Sequence, residues 1–326
     1  MIYIISIILI LFFVLSFLFI THFNFNKDIK IDLKNINNAK EIMSIISVKN
    51  YDENLINVLN KSRISGIIIN IDNLEMHSLF ELIKDIKRKI NRKIFIALDQ
   101  DYKASYSIFY HQKFKVYPSY IGERKSEEYA YKIAYERAVK LKSIGINMIL
   151  SPICNTYCNE KSHLKENIFT SDKILASRLI YQTVKAQKDA GLITALKYFP
   201  KYYDDELYID DKLYIDDKLY DKKIKNIIDN RETFLAGIKA NADIIVMSNI
   251  KNALKYKDFL IKDMKFKGII MTDYINDNKN IISYGINVFS NSYYKNIKNI
   301  KNIIENNIND MDLEVCAKIL NLIKRL

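Results

Sequence analysis

Residues 190–200 read AGLITALKYFP, and this short segment carries the main information about the fold. Gly191 stands directly before an apolar run, at the kind of place where a helix gives way to a strand. The run does not alternate between apolar and polar residues, which is typical of strands buried on both faces of a parallel sheet. The segment therefore predicts a helix-to-strand junction in an α/β protein.

The same pattern extends outward along the chain in both directions. Six further apolar runs are predicted as strands, at residues 66–71, 94–98, 146–153, 243–248, 268–273 and 286–290. Amphipathic helical patterns such as residues 130–144 separate them, and an eighth strand is placed near 42–48. Five glycines precede strand runs, and we expect them to end helices in the left-handed conformation: Gly66, Gly145, Gly191, Gly268 and Gly285.

Strands linked by helix-containing connections imply right-handed crossovers and a parallel sheet. The number of strands and the chain length predict an α/β fold of the (β/α)8 TIM-like barrel type over residues 41–326. A doubly wound open sheet is the alternative, but the sequence carries no Gly-rich loop of the kind that binds nucleotides.

The first residues carry a separate signal. No charged residue occurs from Ile2 to Ile20, and a helix of this length spans about 28 Å. We predict a transmembrane anchor at residues 1–22 and a polar linker at 23–40, with a poorly cleaved signal peptide or a buried core helix as alternatives. The basic residues that follow favour a cytoplasmic domain, whereas an export segment favours the opposite side, so the side stays open.

The composition excludes several classes of protein. Only 7 Gly and 3 Pro occur in 326 residues, which excludes collagen-like and linker-dominated chains. The net charge is +12, but the lysines are interspersed with acids, so we expect no nucleic acid partner. Three cysteines cannot all pair, and Cys154 and Cys158 lack the further ligands of a zinc site, so we predict neither a metal site nor a cofactor.

The predicted strands and the polar residues at their carboxyl ends form a series of short motifs that resembles a known family. The ordered segments are KIFIALDQD (93–101), YPS (117–119), GINMILSPICN (145–155), AGLITALKYFP, NADIIVMSNI (241–250) and FKGIIMTDY (266–274). Together with GIIINI (66–71), this order resembles the N-terminal barrel domain of glycoside hydrolase family 3. The spacing is most similar to the beta-N-acetylglucosaminidases, or beta-N-acetylhexosaminidases, of that family.

The resemblance implies roles for three residues. Asp273 matches the family's catalytic nucleophile, which attacks the anomeric carbon in a retaining mechanism. Asp99 and Lys197 match the positions that bind sugar hydroxyls in the family. Outside the resemblance, a strand-end Asp such as Asp273 often caps the next helix instead.

The sequence departs from the family pattern where the family performs catalysis. The family supplies its general acid/base from a D-x-H pair, and no histidine follows His163 in this chain. The family's Lys-His pair becomes Lys197-Tyr198, two family glycines become Tyr102 and Lys103, and a family Asp becomes Asn155.

An acidic repeat stands where the histidine is missing. Residues 204–222 repeat DDELYI, DDKLYI and DDKLYD, and their first acids, Asp204, Asp205 and Glu206, are candidate substitutes for the acid/base. His163 is a further candidate, because it follows a predicted strand. The alternative is a solvated or sugar-contacting loop without a catalytic acid.

Three functions remain open from the sequence. The first is hydrolysis of terminal beta-N-acetylhexosaminides by a retaining mechanism. The second is a catalytically inactive, membrane-anchored barrel that binds amino sugars, and the third is an interaction protein. The expected partners are a carbohydrate, either an N-acetylglucosamine-containing glycan or a peptidoglycan fragment, and a membrane through residues 2–20.

Overall fold

The computed structural model describes residues 41–48, 53–69, 76–99, 116–156, 165–200, 230–248, 253–275, 282, 284–289 and 312–326. The predicted anchor at 1–22 and linker at 23–40 lie outside these ranges. Within the ranges, no helix combines the length and the apolar character needed to cross a bilayer.

Eight parallel strands close into a barrel in sequence order. Each strand pairs with the next, and the barrel closes where Ser44 pairs with Asn287. The strands are β1 (Ser44–Val48), β2 (Gly66–Ile69), β3 (Phe95–Asp99), β4 (Met148–Leu150), β5 (Ile193–Phe199), β6 (Ile244–Met247), β7 (Ile269–Ile275) and β8 (Gly285–Phe289). Every predicted strand is confirmed, including the one placed near 42–48, and the doubly wound sheet is excluded.

Helices connect the strands and cover the outside of the barrel. The α-helices are α1 (Glu53–Lys61), α2 (Met76–Lys89), α3 (Pro118–Arg124), α4 (Glu127–Ile144), α5 (Lys173–Asp189), α6 (Arg231–Lys239), α7 (Ala253–Asp258) and α8 (Leu313–Lys324). A 3-10 turn (Lys165–Asn167) precedes α5 and a π-helical turn (Phe259–Asp263) follows α7. Ser126, Asp172 and Asp312 cap helices through side-chain oxygens that accept backbone N–H groups.

Residues two apart on each strand lie on the same face of the sheet. Met148 and Leu150 on β4, and Ile244 and Val246 on β6, belong to one buried cluster. The intervening residues, such as Ile149, pack with the helices in other clusters. Ala97 and Ala195 belong to the cluster inside the barrel, and Asp99 and Lys197 come two residues later on the same strands. Because alternate residues face inward, the side chains of Asp99 and Lys197 also face the interior.

Two of the five glycines expected to end a helix in the left-handed conformation do so. Gly145 and Gly191 have φ of +105° and +82° at the ends of α4 and α5. The expectation is wrong for Gly66, Gly268 and Gly285, which lie at strand starts beside a neighbouring backbone. A Cβ on Gly66 would lie 2.3 Å from the carbonyl oxygen of Phe95. These positions need glycine because there is no room for a side chain, and not because the backbone has a left-handed φ.

Candidate active site at the carboxyl ends of the strands

Asp99 and Lys197 form an ion pair inside the barrel. Asp99 ends β3, Lys197 lies on β5, and the Lys197 Nζ is 2.6 Å from the Asp99 Oδ1. Both side chains are only 1% exposed. A buried charge is costly without a partner, so each side chain needs the other. The two residues that the family resemblance assigns to sugar binding are therefore in direct contact.

Tyr198 packs beside the same ammonium group. Its side chain is 6% exposed and belongs to the buried cluster inside the barrel. The Lys197 Nζ lies 5.0 Å from the centroid of the Tyr198 ring and 3.5 Å from its hydroxyl oxygen. The first distance is in the range of a cation–π contact. Two consecutive residues of β5 thus share the interior.

A β-bulge explains why two consecutive residues share the interior. Leu196 pairs with Ile245 and Phe199 pairs with Met247, so three steps along β5 match two along β6. The extra residue in β5 disrupts the ladder locally and redirects the side chains. The peptide bond between Lys197 and Tyr198 is cis.

The segment after β4 forms hydrogen bonds with the β5 bulge on the edge opposite β6. The Lys197 N–H donates to the Pro152 carbonyl at 3.0 Å, and the Cys154 N–H donates to the Lys197 carbonyl. The Asn155 Oδ1 accepts the Tyr198 N–H at 3.2 Å, and the Asn155 Nδ2 donates to the Tyr198 carbonyl at 3.4 Å. Asn155, which the sequence marks only as a departure from the family pattern, is therefore part of the framework of the site.

The start of α6 fixes this segment in turn. The Asn230 Oδ1 accepts both the backbone N–H and the hydroxyl of Thr156, each at 3.2 Å. The Thr233 hydroxyl donates to the Cys154 carbonyl at 2.5 Å. All three polar side chains are buried. Support of this kind limits the positions that a neighbouring functional side chain can take.

Asp273 lies at the same end of the barrel, on a second bulge. Against β8, Met271 pairs with Ile286 and Tyr274 with Val288, so three steps along β7 match two along β8. The Thr272 hydroxyl accepts the Val288 N–H at 2.9 Å. Asp273 is partly exposed, whereas Thr272 is fully buried. A partly exposed carboxylate at the carboxyl end of a barrel strand has the access that a catalytic group needs.

The remaining candidate residues belong to parts of the chain that the structure does not describe. His163, Asp204, Asp205, Glu206 and the Tyr102–Lys103 pair lie outside the described residues. A cavity of about 400 Å³ lies at the opposite end of the barrel, lined by Asp243, Gly268 and residues of α8. That cavity belongs to the amino-terminal ends of β6 and β7 and is separate from the candidate site.

Comparisons with known proteins point to one family. A family model described as "Glycosyl hydrolase family 3 N terminal domain" matches residues 38–292. The curated Beta-hexosaminidase of Hydrogenovibrio crunogenus (strain DSM 25203 / XCL-2) is 23% identical over an alignment of 146 residues, which covers 42% of this chain. The match covers 40% of that relative, so the chain corresponds to less than half of its length.

Solved structures share the barrel. The glycoside hydrolase family 3 beta-N-acetylglucosaminidase from Paenibacillus sp. str. FPU-7 is similar with a TM-score of 0.66 at 14% identity, over 89% of this chain and 62% of that chain. Native NagZ from Neisseria gonorrhoeae is similar with a TM-score of 0.65 at 14% identity, over 86% and 88% respectively. At these identities the likeness shows the fold.

Proposed function

This chain belongs to glycosyl hydrolase family 3, through the N-terminal domain of that family, and from this membership we propose that it hydrolyses terminal beta-N-acetylhexosaminides by a retaining mechanism. The observation that carries the proposal is the buried ion pair of Asp99 and Lys197, at the same end of the barrel as the partly exposed Asp273. Three residues that the family resemblance assigns to one reaction thus lie at the carboxyl ends of three strands.

In the proposed reaction, Asp273 is the nucleophile. Its carboxylate attacks the anomeric carbon, the bond to the leaving oxygen breaks, and a covalent glycosyl-enzyme forms. Water then attacks the same carbon and releases both the sugar and the carboxylate. Asp99 accepts hydrogen bonds from sugar hydroxyls, and the Lys197 ammonium donates to a sugar oxygen.

The leaving oxygen needs a proton, and the usual histidine of the family is missing from this chain. We propose that Asp204, Asp205, Glu206 or His163 supplies it. A carboxylic acid can take this role when its surroundings raise its pKa, and a histidine can take it directly. Individual replacement of each residue by Ala identifies the donor, because its loss affects substrates with poor leaving groups more strongly than activated ones.

A second function follows from the same missing histidine. A barrel with Asp99 and Lys197 but without a proton donor binds an amino sugar, or a partner protein, and does not cleave it. The side chain of Tyr198, where the family carries histidine, favours this alternative because it fills space inside the barrel.

Hydrolysis of a chromogenic N-acetylglucosaminide by the detergent-solubilised full-length chain distinguishes the two functions. We expect turnover by the parent protein, none by Asp273→Ala, and parent-like turnover by Asp258→Ala, since Asp258 is exposed on α7. The product anomer, followed by NMR, should retain its configuration. Binding of N-acetylglucosamine without turnover supports the sugar-binding form of the second function. The absence of both contradicts hydrolysis and sugar binding and leaves the interaction with a partner protein.

We also propose that residues 2–20 anchor the barrel to a membrane as a single span, followed by a linker to residue 40. The support is the uncharged run in the sequence. Cell fractionation tests it: the full chain should sediment with membranes, and a chain lacking residues 1–26 should not. Protease protection of residues 41–326 in sealed vesicles then identifies the side on which the barrel lies.

A further inference from the structure

We propose that Asn155 is a positioning residue, whose carboxamide holds the backbone of Tyr198 in the β5 bulge and thereby keeps the Lys197 ammonium on Asp99. The inference rests on the proposed function only for the role of Lys197 in substrate binding. The contact itself is a property of the fold.

Hydrogen bonds of the β5 backbone carry the first step. A buried backbone N–H or carbonyl group without a hydrogen-bond partner destabilises the folded state. In the bulge, Lys197 exchanges backbone hydrogen bonds with Pro152 and Cys154. The Tyr198 N–H and carbonyl are instead bonded to the side chain of Asn155. The carboxamide therefore takes the place that a neighbouring strand would occupy.

The chemistry of a carboxamide fits this place. Asn155 offers an acceptor and a donor side by side, so it reproduces both halves of a peptide-to-peptide pairing. A carboxylate offers acceptors only, and its second oxygen would face the Tyr198 carbonyl. Leucine has a similar shape and neither group. Substitution by leucine thus removes the two hydrogen bonds and keeps the number of side-chain heavy atoms and the branch at Cγ.

Tyr198 links the backbone held by Asn155 to the Lys197 ammonium group. It is the next residue after Lys197, and its ring and hydroxyl lie 5.0 Å and 3.5 Å from the Lys197 Nζ. The distance from Nζ to the Asp99 Oδ1 is 2.6 Å, so a shift of the bulge by about 1 Å lengthens this contact beyond hydrogen-bond distance. Asn155 itself is 2% exposed, and its neighbours are tied to Asn230 and Thr233.

The chain contains a matched control for this test. The Asn147 Oδ1 accepts the Ile96 N–H at 2.8 Å, and the Asn147 Nδ2 donates to the Ile94 carbonyl at 2.9 Å. Asn147 thus makes the same double contact with a backbone, but it does so at the amino-terminal ends of β3 and β4. Replacement of either residue by leucine removes two hydrogen bonds of the same kind, and only one replacement touches the bulge.

The experiment measures how accessible Lys197 is to a reagent. The full-length parent, Asn155→Leu and Asn147→Leu are treated with trace acetic anhydride, and acetylation of Lys197 is quantified by mass spectrometry relative to the exposed Lys84. We expect labelling of Lys197 to rise at least fivefold in Asn155→Leu and to stay within twofold of the parent in Asn147→Leu. Parent-like labelling in folded Asn155→Leu would overturn the inference, as would an equal rise in both variants.

Two further measurements keep the result interpretable. If Asn155→Leu does not fold, Asn155→Asp takes its place, because it retains the hydrogen bond from the Tyr198 N–H. We then expect a smaller rise in the acetylation of Lys197. No rise in folded Asn155→Asp contradicts the inference. If the parent shows turnover, Asn155→Leu should raise KM severalfold more than Asn147→Leu does. Labelling needs no turnover, so an inactive parent with increased labelling in Asn155→Leu overturns the proposed enzyme and supports the positioning role.

Discussion

The hydroxyl of Thr272 accepts the backbone N–H of Val288 at 2.9 Å, across the bulge that carries Asp273. The bulge interrupts the ladder between β7 and β8, and the side chain supplies the acceptor at that point. The residue before the proposed nucleophile therefore joins the two strands, and the position of Asp273 depends on a hydroxyl group.

Replacement of Thr272 by valine should destabilise the barrel and lower turnover. The substitution conserves shape but leaves the Val288 N–H without its acceptor, at an expected cost of about 1–2 kcal/mol. Urea unfolding measures the first effect, and the kcat of the chromogenic substrate measures the second.

Thr183→Val is the matched control for this prediction. The Thr183 hydroxyl is buried on α5 and has no hydrogen-bond partner among the described residues. Its replacement should not lower the unfolding free energy and should raise it by about 1 kcal/mol, because a buried hydroxyl without a partner is removed and no protein hydrogen bond is lost. Equal losses in the two variants would show that the bond to Val288 contributes little.

The bulges mark the boundary of what the sequence can predict. Apolar runs are enough to predict the strands, because burial on both faces selects a continuous run of such residues. A bulge depends on which residues of two strands pair, and that register is a long-range property. The family resemblance is enough to propose Asp99, Lys197 and Asp273 as site residues. The two hydrogen bonds of Asn155 could not be predicted, since they join residues 43 positions apart in the chain.

The contributions of Asp99 and Lys197 to the free energy of unfolding should depend strongly on each other. Lys197→Met removes the ammonium group that lies 2.6 Å from the buried Asp99 carboxylate, so we expect a loss of about 3 kcal/mol in the free energy of unfolding. Asp99→Asn combined with Lys197→Met removes both charges and should recover part of this loss. A double-mutant cycle by urea unfolding gives the coupling energy.

An exposed pair provides the comparison. Lys262 and Asp258 are 2.9 Å apart on the surface, with side chains 71% and 59% exposed. Lys262→Met should cost less than about 0.5 kcal/mol, because water screens the charges. If the losses for Lys197→Met and Lys262→Met are the same, burial does not decide the energy of the Asp99 pair.

Asp243 should affect stability without affecting turnover. It precedes β6 at the amino-terminal end of the barrel, and both of its carboxylate oxygens lie 2.6 Å from the Lys188 Nζ. The Thr194 N–H also donates to it, at 3.0 Å. Asp243→Asn retains the shape but loses the charge, and we expect destabilisation of about 2 kcal/mol with an unchanged KM.

Asp273→Asn should show the opposite pattern. Its side chain is partly exposed, so the cost in stability should be small, while turnover should be lost. A change in KM for Asp243→Asn, measured well below its unfolding temperature, would indicate that the two ends of the barrel are coupled.

The buried cysteines should be unreactive in the folded protein. Burial raises the pKa of the Cys316 thiol to about 12 and raises the pKa of Cys154 as well. The thiolate is the nucleophile, and at pH 8.5 a thiol with a pKa near 12 is ionised in only about 1 of 3,000 molecules. Iodoacetamide should therefore modify Cys154 and Cys316 in urea and leave them intact in buffer, as mass spectrometry of the peptides can measure.

The same raised pKa values predict a loss of stability in alkali. A group whose folded pKa exceeds its unfolded value contributes its full stability below the unfolded pKa, which is about 8.5 for a thiol. That contribution declines as the pH rises toward the folded pKa, because the unfolded chain releases its protons first. The free energy of unfolding should fall between about pH 9 and pH 12, and less steeply in the double variant Cys154→Ala and Cys316→Ala. Identical slopes for parent and variant would show that these two thiols do not control alkaline stability.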